Sequence, residues 1–347
     1  MSPARRAAEW PAVTVASVLL ALTCSVLLAR SLGPDARGQH AVFTTAVGIL
    51  VGLLSLRIGT RRRTPQSSRK AANDFQGLDL TVTRNNLLVM LDFHNHLMPD
   101  VDDGAANIDE SRAGLRAMEA DGITQIITTP HISASLSGVP LERYLERIER
   151  GWDQLQTLAA TEFPKLRLQR GFEVMLDTPH PVLDNPLLRL AGTQFVLVEF
   201  PFMSIPPNSA YAVRELRDAG WIPVVAHPER YSNMESAMHL IEQWRDAGAY
   251  LQVNAGSFLG VYGARAKRLV WQIVGDGHAE YLCSDYHSRG KCNVAAAHSE
   301  LRESGADSQS ETMISNGLKL LKGERPSSVD AMIEKPKPGW KKVFPWI

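Results

Sequence analysis

The sequence predicts an α/β fold: a distorted seven-stranded βα barrel of the TIM-like kind, preceded by a two-helix membrane hairpin. The first observation is alternation. Downstream of residue 86, short apolar or β-branched runs alternate with amphipathic stretches, the pattern of parallel strands joined by crossover helices. The second is regularity: the units recur about every 25 to 30 residues, which suits a closed barrel better than an open two-domain sheet. The third is a pair of uncharged apolar runs near the N-terminus, Trp10–Ala29 and Gly38–Leu56.

The length of 347 residues holds one large domain of about 250 residues with appendages. Lys+Arg and Asp+Glu both total 37, so the formal net charge is zero, and no basic field recommends nucleic acid as a partner. Cys24, Cys283 and Cys292 are too few and too scattered for a disulfide framework, which favours a reducing compartment.

Each N-terminal run approaches the roughly 20 apolar residues that cross a bilayer. Arg5 and Arg6 precede the pair, and Arg57, Arg61, Arg62 and Arg63 follow it. The positive-inside rule then leaves both ends of a hairpin over 1–58 in the cytoplasm. No small-x-small site follows the first run, which argues against a cleaved signal peptide. The alternative is an over-extended N-terminus, because Met90 itself makes a natural start for a soluble enzyme. Residues 59–86 are Arg-, Ser- and Asn-rich and read as a linker. The barrel is expected over 87–323 and a flexible Pro/Lys-rich tail over 324–347.

Leu87–Leu91 reads as the first strand, and it leads into His94 and His96. Residues two apart on a strand share a face, so both imidazoles aim into one volume. Asp100, Asp102 and Asp103 follow before Gly104, and Asn107–Asp121 is an amphipathic helix stopped by Gly122. Ile123–Thr129 is a strand ending at Pro130-His131, and Leu141–Ala160 is a charged helix. Leu166–Phe172 is a strand ending at Glu173; Pro181–Ala191 reads as a short helical crossover; Phe195–Val198 is a strand ending at Glu199. Helices over Ser209–Ala219 and Ser236–Ala247 flank the strand Trp221–Ala226, which ends His227-Pro-Glu-Arg230. Tyr250–Val253 ends at Asn254, Ala264–Val274 is helical, and Ala279–Cys283 ends Ser284-Asp-Tyr-His287. Val294–Ser304 and Glu311–Leu321 are closing helices.

Barrel enzymes build their sites at the C-terminal ends of the strands. Any one strand-end histidine or carboxylate is usually structural, but here six of the seven expected strands carry one at that end. Five histidines, two glutamates and at least two aspartates exceed the needs of one ion. Two or three divalent ions sharing bridging carboxylates fit better, and imidazole with carboxylate suits manganese, iron or zinc. Such a cluster lowers the pKa of a bound water toward neutrality, giving hydroxide, and neutralises charge on a transferring phosphoryl group. Arg230, three residues past His227, could grip a phosphate in a bidentate fork, and Arg289 and Lys291 could add to that anion site. Cys283 and Arg289 formally fit Cys-x5-Arg, but the loop between them has no glycine, so it makes a poor thiolate cradle.

The stretches Asp92-Phe-His-Asn-His96, Asp100-Val-Asp-Asp-Gly104, Thr129-Pro-His131, Gly171-Phe-Glu173, Val198-Glu-Phe200, Val225-Ala-His-Pro-Glu-Arg-Tyr231 and Ser284-Asp-Tyr-His287 carry a resemblance. Together they resemble the PHP (polymerase and histidinol phosphatase) superfamily, and within it the bacterial tyrosine-protein phosphatases encoded with capsule and exopolysaccharide genes. The resemblance covers roughly residues 90 to 322 and implies a PHP-type barrel. It implies that His94, His96, Asp103, His131, Glu173, Glu199, His227, Asp285 and His287 hold up to three ions, often manganese. It implies hydrolysis of phosphotyrosine on a membrane tyrosine kinase of polysaccharide export, by a cytoplasmic domain that the hairpin would anchor in the inner membrane. A small-molecule phosphoesterase such as a histidinol phosphatase is the alternative reading, and an inactive membrane adaptor a distant one. In one place the chain departs from the pattern: Ser288-Arg-Gly-Lys-Cys292 stands where relatives commonly carry Arg-Pro-Pro, which weakens a phosphate-binding role for Arg289.

Overall fold

The structure is a computed structural model that describes residues 89–332, apart from 137, 182 and 202–204. The hairpin expected over 1–58, the linker over 59–86 and the chain beyond 332 lie outside the described residues. Among the described residues, no helix is long and apolar enough to cross a membrane.

Strands and helices alternate along the chain. β1 (Met90–Asp92), α1 (Ile108–Ala120), β2 (Ile123–Thr128), β3 (His131–Ser133), α2 (Gly138–Glu162), β4 (Arg167–Arg170) and β5 (Glu173–Met175) come first. β6 (Phe195–Glu199), α3 (Ser209–Asp218), β7 (Ile222–Ala226), α4 (His239–Asp246) and β8 (Tyr250–Asn254) follow. A single turn α5 (Ala255–Phe258), then α6 (Gly263–Gly275), β9 (Tyr281–Cys283), α7 (Val294–Glu303) and α8 (Asp307–Leu321) complete the order.

The α/β class and the parallel pairing are as the sequence predicts. The strands form two parallel sheets, β1-β2-β4 and β3-β5-β6-β7-β8-β9. Seven strands were expected and nine occur among the described residues, because two chain paths are each broken and resume as a further strand. Between β2 and β3 sits Pro130, which has no N–H to give a ladder. Between β4 and β5 sits Gly171, where a Cβ would lie 2.8 Å from Leu190 Cδ2 and 3.1 Å from Leu190 Cα. Only glycine lets the chain pass Leu190 that closely. Hydrogen bonds bridge both breaks, Gly171 N to Thr128 O at 3.0 Å and Glu173 N to Pro130 O at 3.1 Å. At the far edges, Asp285 N donates to His94 O at 2.8 Å and His96 N to Tyr286 O at 2.9 Å. The chain just past β1 is thereby bonded to the chain just past β9.

The crossover expected as a helix over 181–191 is instead two 3-10 turns, Pro186–Leu188 and Leu190–Gly192. Pro186 cannot donate, and Ala191 takes a left-handed φ of 52°, which ends any helical run. Helix α1 starts where its chemistry directs: the Asn107 side chain accepts from Asp109 N and Glu110 N, with two acids in the first turn. Every residue of β6 and β7 is buried, as parallel strands covered on both faces require. Residues 324–332, the start of the expected tail, dock back on the fold. Ser327 N donates to Asn316 Oδ1 at 2.7 Å, Met332 N to Gly275 O at 2.9 Å, and Val329 is buried.

Candidate metal centre

His131 and Glu173 open β3 and β5 and Glu199 closes β6, while His94, His96, Asp103, His227, Asp285 and His287 stand on loops that leave the strands, and two of those loops hold unusual backbone. His227, directly after β7, has φ 35°, and Asp285, two residues after β9, has φ 53°. A non-glycine residue in the left-handed region costs on the order of 1–3 kcal/mol and persists only where its surroundings fix it. Those fixings are visible: His227 N donates to Gln252 O at 2.7 Å and Asp285 N to His94 O. Gly104 serves the neighbouring loop, since a Cβ there would lie 2.2 Å from His96 O.

Three overlapping groups of donors result, each with its ligand atoms within 4.8 Å of one another. His94, His96, Glu173 and Asp285 form one; His96, Asp103, His131 and His287 a second; His131, Glu173 and Glu199 a third. Glu173 is the hub. Its Oε2 lies 3.0 Å from His94 Nε2, 3.1 Å from His131 Nδ1 and 3.4 Å from His96 Nε2. Its Oε1 lies 3.0 Å from His227 Nε2, which is itself 3.9 Å from Glu199 Oε2. All nine residues of the expected ligand set therefore converge.

The donors behave as a set built for cations. His94 Nε2, His96 Nε2, His131 Nδ1, Glu173 Oε2 and Asp285 Oδ1 are buried and have no hydrogen-bond partner. They approach one another to 3.0–3.5 Å without the alignment of hydrogen bonds. Buried polar atoms left in that state are costly unless something else satisfies them. Imidazoles and carboxylates sharing corners fit divalent transition ions.

The electrostatics agree. Burial alone would raise Glu173 and Asp285, but the neighbouring imidazoles, His94 foremost, hold both well below the usual carboxylate range. Burial alone would lower His94, but Glu173 and Asp285 push it up to about 10. The centre is a buried nest of negative charge that protons neutralise when no other cation does.

Asp102 and Asp103 face different ways. Asp103 Oδ1 faces inward, 3.4 Å from His131 Nε2 and 3.3 Å from His287 Nε2. Asp102 stands behind, its Oδ2 2.7 Å from His96 Nδ1 while accepting from His131 N at 3.1 Å. That is the arrangement by which a carboxylate orients a ligating histidine. Arg230 donates from Nη1 to Asp285 Oδ2, and its guanidinium lies 4.3 Å from the Tyr262 ring centroid. Arg289 is exposed and donates to the Asp103 carbonyl at 3.2 Å. Cys283 faces the opposite way, into the core, where burial pushes its thiol well above the ordinary range. A thiolate phosphatase loop is not formed.

Four buried residues at the centre escaped the sequence reading as functional: Asp92, Glu229, Gln252 and Asn254. Asp92 accepts from Ser284 N and Ser284 Oγ, each at 2.7 Å, tying the β1 and β9 ends together. Asn254 was noted only as a strand end. An amide in a strand carries no chemical signature until its neighbours across the sheet are known.

Comparison with known proteins gives these features a family. Residues 90–322 match the family described as capsular polysaccharide synthesis, CpsB/CapC. The tyrosine-protein phosphatase YwqE of Bacillus subtilis is 30% identical over 201 residues, covering 57% of this chain and 78% of that protein. The tyrosine-protein phosphatase CpsB of Streptococcus agalactiae is 24% identical over 243 residues, 67% of this chain and 98% of that protein. A crystal structure from work on YwqE of B. subtilis and CpsB of Streptococcus pneumoniae, described as unique metal-dependent tyrosine phosphatases, matches with a TM-score of 0.59 at 26% identity. It covers 70% of this chain and 100% of that one. Through residues 90–322, the chain belongs to the CpsB/CapC family.

Proposed function

We propose that the chain is a metal-dependent protein-tyrosine phosphatase that holds two or three divalent ions, with manganese the leading candidate. The observation that carries this is the convergence of eight imidazoles and carboxylates into three donor groups that share corners, with His227 joined to them through Glu173. The names of the relatives, all tyrosine-protein phosphatases, point to the same activity. The two sheets are read as one distorted seven-path barrel, with the centre at its C-terminal mouth.

His94, His96, Asp103, His131, Glu173, Glu199, His227, Asp285 and His287 would hold the ions, and Glu173 belongs to two of the donor groups. Bound there, divalent ions would polarise phosphoryl oxygens and bring a water toward hydroxide at neutral pH. Arg230 would grip the phosphoryl group from the side, its guanidinium oriented by the Tyr262 ring and by Asp285. Arg289, at the rim, would add long-range attraction rather than a fixed contact. The reaction breaks the bond from phosphorus to the tyrosine oxygen and releases inorganic phosphate. The substrate is proposed to be phosphotyrosine on a membrane tyrosine kinase of polysaccharide export. The N-terminal hairpin would keep enzyme and substrate on one bilayer, with the catalytic domain in the cytoplasm, and raise their effective concentration.

The test is a phosphatase assay of the full chain on phosphotyrosine and phosphoserine peptides, with manganese or with chelator. The reading expects manganese-dependent activity confined to phosphotyrosine. Equal rates on both peptides would sink the tyrosine assignment and leave a general phosphoesterase, the histidinol phosphatase class included.

A further inference from the structure

Strand β8 ends without imidazole or carboxylate, yet Gln252 and Asn254 on it are fully buried beside the centre. We infer that Gln252 and Asn254 form a polarity relay that fixes the proton of His94 on Nδ1 and presents its bare Nε2 to the metal corner. The inference rests on the metal-centre reading and assigns to it two positioning residues that are not ligands.

The relay starts from a group with only one hydrogen-bonding sense. Asp285 Oδ2, a carboxylate oxygen, can only accept, so the Asn254 atom 2.8 Å away must be the donating Nδ2. That turns Asn254 Oδ1 toward Gln252, whose Nε2 donates to it at 2.9 Å. The same Gln252 Nε2 donates to Val253 O at 2.8 Å, so both of its hydrogens are used. Gln252 Oε1 is left facing His94 Nδ1 at 2.8 Å, and an amide oxygen accepts only. His94 must therefore carry hydrogen on Nδ1. Its Nε2, 3.0 Å from Glu173 Oε2 and 3.1 Å from Asp285 Oδ1, is the atom that faces the cluster.

No other assignment is consistent. Reversing Gln252 would set its oxygen against two other oxygens, and reversing Asn254 would set a carbonyl against a carboxylate. Glu229 keeps the relay in place: its Oε1 accepts from Asn254 N at 2.9 Å and from Ser257 Oγ at 2.7 Å. His96 is oriented differently, by the Asp102 carboxylate on its Nδ1. The two histidines of the first motif thus differ as ligands. A neutral amide drives less electron density onto His94 than the carboxylate drives onto His96.

The experiment uses the full chain and Gln252→Met, which keeps the bulk and removes the acceptor. Manganese affinity is measured by equilibrium dialysis, and imidazole tautomers by 15N NMR of histidine-labelled protein loaded with zinc. The relay expects Gln252→Met to weaken manganese binding about 10- to 100-fold, the range for orienting partners of ligating histidines. It expects the wild-type His94 resonance to report Nδ1–H, and that signal to vanish in Gln252→Met while the His96 Nδ1–H persists. Undiminished affinity in Gln252→Met, or an Nε2–H tautomer at His94 in loaded wild type, overturns the relay. Should Gln252→Met fail to fold, the wild-type tautomer alone decides. Wild-type protein that takes up neither ion overturns the metal-centre reading, and the relay with it.

Discussion

Glu173 has four imidazoles around its two oxygens, at 3.0 to 3.4 Å, and no other carboxylate at the centre is so surrounded. Replacing it by Gln keeps the shape and removes the charge that bridges two donor groups. Glu173→Gln is expected to lower bound metal by at least one ion per chain and kcat/KM by at least about 100-fold. Metal analysis beside steady-state kinetics checks both. Cys283→Ser is expected to leave kcat near wild type, since the thiol faces the core; loss of all activity in folded protein would contradict that. Away from the centre, His298 is buried against Ser310 Oγ at 2.9 Å, and burial, helped by Arg302, lowers its pKa from 6.5 to about 4. The folded state thus prefers neutral His298. The stability this contributes is fully present above pH 6.5 and is lost as pH falls through about 4, on the order of 3 kcal/mol. His298→Gln should flatten that part of the pH–stability curve, as urea melts would show. At this scale the convergence of imidazoles and carboxylates was legible from strand ends, because chemistry-bearing residues recur at one position of a repeating unit. Residue types alone did not separate Asp102 from Asp103, since adjacent carboxylates differ only in which way the loop turns them, and only the family resemblance pointed to Asp103.

Secondary elements were legible where periodicity was strong, as in α1, β6, β7 and α6, whose ends lie within a residue or two of the expected ones. They were less legible where proline and glycine intervene. Past Pro130 and Gly171 the chain resumes as β3 and β5, beyond the ends expected at Thr129 and Phe172, and the nearness of Leu190 to Gly171 is a tertiary fact. Gly171→Ala is expected to destabilise by about 1–3 kcal/mol, because the new methyl must displace Leu190. A calorimetric melting temperature within a degree of wild type would contradict that. The segment 324–332 offers a second test. Ending the chain at 323 removes the partners of Asn316 Oδ1 and Gln309 Nε2 and exposes apolar surface under Val329. The expected loss is about 1 kcal/mol per hydrogen bond, several degrees in melting temperature.

Over the whole molecule, the parallel α/β class followed from the alternation of strand and helix, and the position of the site followed from the rule that such folds place chemistry at strand ends. A closed barrel was expected, but the particular bonds that tie the chain at the end of β1 to the chain at the end of β9 were not legible. Among them, Ser284 donates to Asp92 across 192 positions of sequence, and a lone buried aspartate in a strand announces nothing. The proposed hairpin adds a test at this scale: full-length protein should sediment with membranes, and a chain starting at residue 87 should not. The most direct measurement is anomalous diffraction at the manganese edge from crystals grown with manganese. The account predicts two or three peaks, each about 2.0–2.4 Å from donor atoms of His94, His96, Asp103, His131, Glu173, Glu199, His227, Asp285 and His287. Absence of peaks there, or manganese bound only elsewhere on the molecule, would contradict it.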